Sequence, residues 1–163
     1  LVQDRGDSNI EFVMVGNGSA KEKIANLVSE YSLKNFQLHD AVPIADLQHY
    51  FFEADVGVIL FGDQSHTYRI TASPNKFFDY LAAGLPMIYN FEGPLKQYCL
   101  DQKIGFYVDF QNPASMFNLI VDLKNKKAEL EIMANKIRFL AETKFNRVNI
   151  VEEFTALIEN HAA

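Results

Sequence analysis

Lys76 and Asp79, three residues apart behind a Ser-Pro pair, are the residues of this chain best spaced to hold a charged ligand. Residues 71–86 read Thr-Ala-Ser-Pro-Asn-Lys-Phe-Phe-Asp-Tyr-Leu-Ala-Ala-Gly-Leu-Pro. The segment is predicted to form a short helix with defined ends. Ser73 is placed as the N-cap and Pro74 at the first helical position, where no amide hydrogen is needed. Gly84 falls where a left-handed residue closes a helix, and Pro86 stops it from resuming. The free amides of Asn75 and Lys76 then face out of the helix mouth with the positive end of the dipole behind them, which is an anion site. Asp79 shares their face one turn further in. Amides and a cation in front of a carboxylate suit a nucleotide, with diphosphate at the mouth and ribose hydroxyls on the acid. A plainer reading fits the same residues: a capped helix with a surface Lys76–Asp79 pair worth roughly a few tenths of a kcal/mol.

The other chemistry-bearing residues assemble into no catalytic engine. His39, His49, His66 and His161 are scattered, and no paired carboxylates, Ser-His-Asp set, Cys-His set, P-loop or metal-ligand cluster can be built from the sequence. His49 falls beside apolar helix positions and reads as structural. His66, with Tyr68 and Arg69, lies in a polar stretch over residues 62–70, where a ligand contact is the less favoured reading. Gly16-Asn17-Gly18 is not a dinucleotide fingerprint, since position 21 is Lys, and a tight turn explains it. Cys99 is the single cysteine, so no internal disulfide forms and a reducing compartment is expected; the thiol reads as a small buried apolar group.

The elements that must position these residues alternate. Residues 10–15 and 56–60 are short β-branched runs, and residues 36–38, 87–91 and 106–108 read as further strands. Between them, Ser19-Ala-Lys-Glu22 is a capping box for a helix with Ile24, Leu27, Val28 and Tyr31 on one face. Leu47, Tyr50, Phe51 and Ala54 mark a second helix. Asn112-Pro113 repeats the cap-and-proline device before Met116, Ile120 and Leu123. Two more helices follow, one with Leu130, Met133, Ile137 and Leu140, the other with Val148, Val151, Phe154 and Ile158. Alternation of this kind implies an α/β fold with a parallel sheet. Ligands bind beyond the carboxyl ends of such strands, where the Gly16–Gly18 turn, the 62–70 loop and the Ser73 helix mouth are all expected.

Composition sets the outer bounds. The 163 residues, 48% hydrophobic and 22% charged, suit one soluble domain over residues 1–163. The net charge of −6 argues against a nucleic-acid partner. No stretch is long and apolar enough to span a membrane, and the first residues are not a signal peptide. A start without methionine leads to the expectation of a fragment or a processed chain.

These residues resemble the C-terminal, donor-binding half of retaining glycosyltransferases of the GT-B fold, the family 4 or group 1 class. The run from Phe12 to Gly18 is similar to the family's Val-Gly-x-Gly turn, and residues 36–55 follow its strand, turn and helix ending in Ala-Asp. Asp79-Tyr-Leu-Ala-Ala-Gly-Leu-Pro86 resembles its acid followed by Ala-x-x-Ala-Gly-x-Pro, and residues 145–154 resemble its closing helix. The resemblance implies a Rossmann-like parallel sheet with helices on both faces, lacking its first strand. It places Asp79 on the ribose diol of the donor and Thr71 where the family has an acid for the sugar. Ser73, Asn75 and Lys76 would serve the diphosphate, Pro74 having removed one amide, and Ala41 and Val42 would lie at the base. Gly16, Asn17 and Gly18 would line the same donor.

The implied activity is metal-independent transfer from a nucleotide-diphosphate sugar, used as substrate with no cofactor, in building bacterial surface polysaccharide or glycan. The acceptor, a glycan or a lipid-linked one, would belong to an N-terminal domain that precedes this chain, as would a basic Arg and Lys. No catalytic residue is named within the chain, and the isolated fragment is expected to be inactive. The implied location is the cytoplasm, at the inner face of the membrane in the full-length enzyme. Two readings compete: a non-catalytic nucleotide- or partner-binding module, favoured by Thr71, and a GT-B-type sugar-nucleotide epimerase. A receiver-like signalling domain is weaker, because its acidic pocket after the first strand is not visible.

Overall fold

A computed structural model describes residues 9–62, 66–71, 73–109 and 111–161; the side chains of His66, Tyr68 and His161 also lie outside what it describes. The described residues form, in order, β1 (Phe12–Val15), α1 (Lys21–Glu30), β2 (Phe36–His39), α2 (Leu47–Glu53), β3 (Gly57–Ile59), α3 (His66–Thr71), α4 (Asn75–Ala83), β4 (Met87–Tyr89), α5 (Gly93–Gln102), β5 (Gly105–Tyr107), α6 (Pro113–Leu123), α7 (Lys127–Lys144) and α8 (Arg147–His161). All strand pairs are parallel. The chain divides into two compact units, with the boundary inside α2 between Tyr50 and Phe51.

In the first unit β1 pairs with β2, with Phe12 opposite Phe36 and Val15 opposite His39. The two phenylalanine rings stack at 6.4 Å. Strand formation follows from the Phe-Val-Met-Val sequence, whose branched and aromatic side chains fit a pleated surface. Burial does not follow to the same degree. None of the unit's described residues is fully buried, and Leu27 and Tyr31 on the expected apolar face of α1 remain 39% and 63% exposed.

The second unit holds the core. Its sheet has the order β3-β4-β5, so β4 is paired on both sides. Met87, Ile88 and Tyr89 of β4 are all buried, as a central strand with both faces covered requires. Met87 and Tyr89 point into one cluster with Ile59, Phe77, Leu81, Phe91, Cys99, Ile104, Ile137 and Leu140. Ile88 points the other way, into a cluster with Val108, Leu123 and Leu130. The period of two along the strand thus sends α4, α5 and the C-terminal part of α7 to one face and α6 to the other. This is the α/β arrangement with helices on both faces that the sequence leads one to expect.

Three local expectations need correction. Ser73 is not the N-cap of α4: Pro74 is, in an extended conformation, and its carbonyl accepts from the Phe77 amide at 2.9 Å. The Ser19–Glu22 capping box does not form either; α1 begins after Ala20, and no side chain caps it. The polar stretch 62–70 is not wholly loop, because His66–Thr71 is helical. On α8, which forms as the sequence suggests, Val148, Val151, Phe154 and Ile158 are all more than half exposed. The helix α5 was unanticipated, although Pro94 at its start and the need for a crossover between β4 and β5 both signal it.

Candidate functional site

The predicted site residues fall into two groups, one in each unit. In the first unit, the carboxyl ends of β1 and β2 are adjacent because the strands are parallel and in register. The Gly16 amide donates to the His39 carbonyl at 3.1 Å, extending the ladder by one bond. Asn17 then joins the two turns: its Oδ1 accepts from the Ala41 amide at 3.2 Å and from Lys21 Nζ at 2.7 Å. Lys21 Nζ also pairs with the Asp40 carboxylate. The hydrogen bond and charge of Lys21 hold Asp40 below its ordinary carboxylate range. Gly16, Asn17, Gly18 and Ala41 are thus brought together. Val42 is half-buried beside them. Because the Ala41 amide is taken by Asn17, that donor is not free for a ligand.

Lys21 and Asp40 are the functional candidates that sequence reading missed. In the sequence Lys21 reads only as the break in a glycine pattern and an inner position of the Ser19–Glu22 box. The signal was present in their placement, each just beyond the end of one of two neighbouring strands.

The second group sits around α4. This nine-residue helix ends as expected: Gly84 is left-handed at φ 69°, its amide donating to Leu81 at 3.0 Å and the Leu85 amide to Tyr80 at 2.8 Å. Glycine is required there twice over. A side chain would be strained at that φ, and a Cβ would lie 3.0 Å from Arg138 Nε and 3.3 Å from the Ala134 carbonyl oxygen of α7. The buried Phe77 and Leu81 fix the opposite face of the helix in the core.

The shift of the N-cap from Ser73 to Pro74 changes the chemistry of the mouth. At the N-cap, Pro74 removes none of the first-turn amides. Asn75 and Lys76 are the first two helical residues, and their amides have no intrahelical acceptor. Among the described residues neither Lys76 nor Asp79 has an ion-pair partner, so the surface pair of the plainer reading is not formed. Lys76 is exposed and Asp79 partly so. Ser73 lies just outside the helix, exposed, rather than capping it. Thr71 closes α3, and its hydroxyl donates to the Thr67 carbonyl at 2.9 Å.

Behind the mouth, the strand ends are fastened by side chains. Asn90, 1% exposed, donates to the Phe61 carbonyl at 2.7 Å and accepts from the Phe61 amide at 2.8 Å, continuing the β3–β4 pairing after the ladder ends. Cys99 is buried in the core, and burial pushes its thiol up to about 12, so it stays protonated and unreactive. Among the described residues no three His, Cys, Asp or Glu side chains gather as a metal site. No helix among them is long and apolar enough to cross a membrane.

A family model described as "Glycosyl transferases group 1" matches residues 1–126, which takes in both groups of site residues. No curated protein matches the chain.

Proposed function

The chain belongs to the group 1 glycosyltransferases, and from that premise we propose that it is the donor-binding part of an enzyme transferring a sugar from a nucleoside-diphosphate sugar. Configuration at the transferred carbon is retained and no metal takes part. The observation that carries this reading is the placement at the start of α4 of two amides without an intrahelical acceptor and of Lys76 and Asp79, neither of which has an ion-pair partner among the described residues. The diphosphate sits at the mouth, where amides, dipole and ammonium are already aimed at it. Leaving-group charge is then stabilised with little reorganisation at the moment of bond breaking, which is the efficient form of electrostatic catalysis. Asp79 accepts the ribose hydroxyls and so sets the position of the diphosphate. The base lies against the Ala41–Val42 turn, stiffened by Asn17, with Gly16 and Gly18 leaving room beside it. Thr71 borders the sugar, and Ser73 serves the diphosphate.

In this reading a glycan or lipid-linked acceptor is recognised by an N-terminal domain. The enzyme works on bacterial surface polysaccharide or glycan at the inner face of the cytoplasmic membrane. A non-catalytic nucleotide-binding module is the second reading, favoured by Thr71, whose hydroxyl hydrogen is already spent on Thr67 and which carries no charge for the sugar. Steady-state kinetics on the full-length protein separate the two. Donor-dependent transfer is expected, with donor KM raised and kcat/KM lowered by Asp79→Ala; absence of any turnover with the purified acceptor would favour the module.

A further inference from the structure

The turn after β4 holds the last turn of α3, the helix that precedes α4 in the chain. The Glu92 amide donates to the Arg69 carbonyl at 2.6 Å. The carbonyls of the last turn of a helix have no partner within it, so Glu92 supplies one that α3 cannot supply for itself. Gly93 lies directly under the next carbonyl. It is left-handed at φ 72°, and a Cβ there would collide with the Ile70 carbonyl oxygen and come within 3.3 Å of the Ile70 carbonyl carbon. These are backbone atoms, so the helix itself would have to move.

The seat is rigid because the Glu92 side chain is held from several sides. Its carboxylate accepts from the Tyr107 hydroxyl at the end of β5. It also pairs with Lys96 of α5 at 2.8 Å, and that ammonium lies 3.6 Å from the centre of the Tyr107 ring. Burial works against the carboxylate charge, but the hydrogen bonds from Lys96 and Tyr107 and the charges of Lys96 and Arg69 outweigh it. One residue thus ties the ends of β4 and β5 and the start of α5 to the last turn of α3. Thr71 is the final residue of α3, and only residues 72–74 separate it from α4.

We infer that Glu92 and Gly93 are positioning residues for the donor: they fix the last turn of α3, and with it Thr71, beside the donor. This rests on the donor site proposed above. Neither residue touches the donor; each acts through the backbone of α3.

The test uses the full-length enzyme with UDP, GDP and ADP as binding probes, followed by kinetics with the matching sugar nucleotide. Gly93→Ala and Glu92→Ala are each expected to raise the Kd of the preferred diphosphate and the donor KM by about tenfold, since sub-ångström misplacement of a contact is enough for that. kcat should change less than KM. Glu92→Gln, which keeps an acceptor for Tyr107, should recover most of the affinity. Leu130→Val, in the cluster around Ile88, serves as a control that lowers the thermal midpoint without moving Kd. If the Glu92 and Gly93 variants lower the midpoint while Kd and KM stay at wild-type values, the turn is structural only and the inference is overturned. If Asp79→Ala weakens binding in the same series, the donor site stands despite that failure. If Asp79→Ala also leaves Kd unchanged, both are overturned together.

Discussion

The two units are written in the same alternating pattern yet are held together differently. In the second, β4 is paired on both sides and packed on both faces, and its three residues are at most 2% exposed. In the first, the two described strands pair with each other, Val13 and Met14 are 49% and 42% exposed, and the turns are joined by exposed polar contacts among Asn17, Lys21, Asp40 and Ala41. Apolar burial is the larger stabilising term by far, whereas exposed ion pairs contribute little. Helix α4 is therefore preformed on a packed core, and the turns after β1 and β2 rest on contacts that salt and single substitutions can loosen.

Phe77→Ala should break the comparison most sharply. Phe77 is fully buried, with Phe78, Phe91 and Phe145 rings 5.2 to 6.3 Å away, and its loss should destabilise the second unit by about 3–5 kcal/mol. Phe12→Ala, which removes a half-buried ring stacked on Phe36, should have a clearly smaller effect. Urea unfolding of both variants measures the difference; equal losses would mean the first unit is as well packed as the second. Asn90→Ala should come next, at about 1–3 kcal/mol, because it leaves the amide and carbonyl of Phe61 without their partner. Hydrogen exchange at Phe61 should rise in that variant while exchange in β5 stays slow.

A smaller effect is expected from acid. Glu92 is held below its ordinary 4.5, so its stabilisation is present above that value and is lost as pH falls through the lower folded value. The wild-type melting temperature should therefore fall more steeply than that of Glu92→Gln between about pH 5 and pH 3. Parallel curves would show that the carboxylate contributes nothing. The smallest effect belongs to Lys21→Met, which should leave the thermal midpoint nearly unchanged and mainly speed amide exchange at Ala41. High salt should produce the same change in the wild type. A large drop in midpoint would make the first unit's polar network a true structural element.

The parts of the fold that were legible in the sequence are those where local chemistry leaves one solution. Gly84 and Pro86 end α4 because only glycine suits the left-handed position there, and Asn112 caps α6 by accepting from Ser115 at 3.2 Å. The same rule misplaced the start of α4 by one residue, since Ser-Pro fits either N-cap and first position or N′ and N-cap. Only the Phe77–Pro74 bond distinguishes them. The seat beneath α3 was illegible because its bonds run between residues 23 apart, Arg69 and Glu92, and use backbone atoms that any residue carries. Likewise the stripe on α8 had the right period, but period reports amphipathicity and not what covers the face.

The central claim is that Asp79 and the mouth of α4 hold the diphosphate end of a nucleotide sugar. The most direct test is calorimetric titration of the full-length protein with UDP, GDP and ADP, alongside Asp79→Ala and Lys76→Ala variants of unchanged melting temperature. Saturable binding of one diphosphate, weakened about tenfold or more by each substitution, is the predicted result. Binding of the same diphosphate with wild-type affinity in both variants would contradict it and move the donor away from α4.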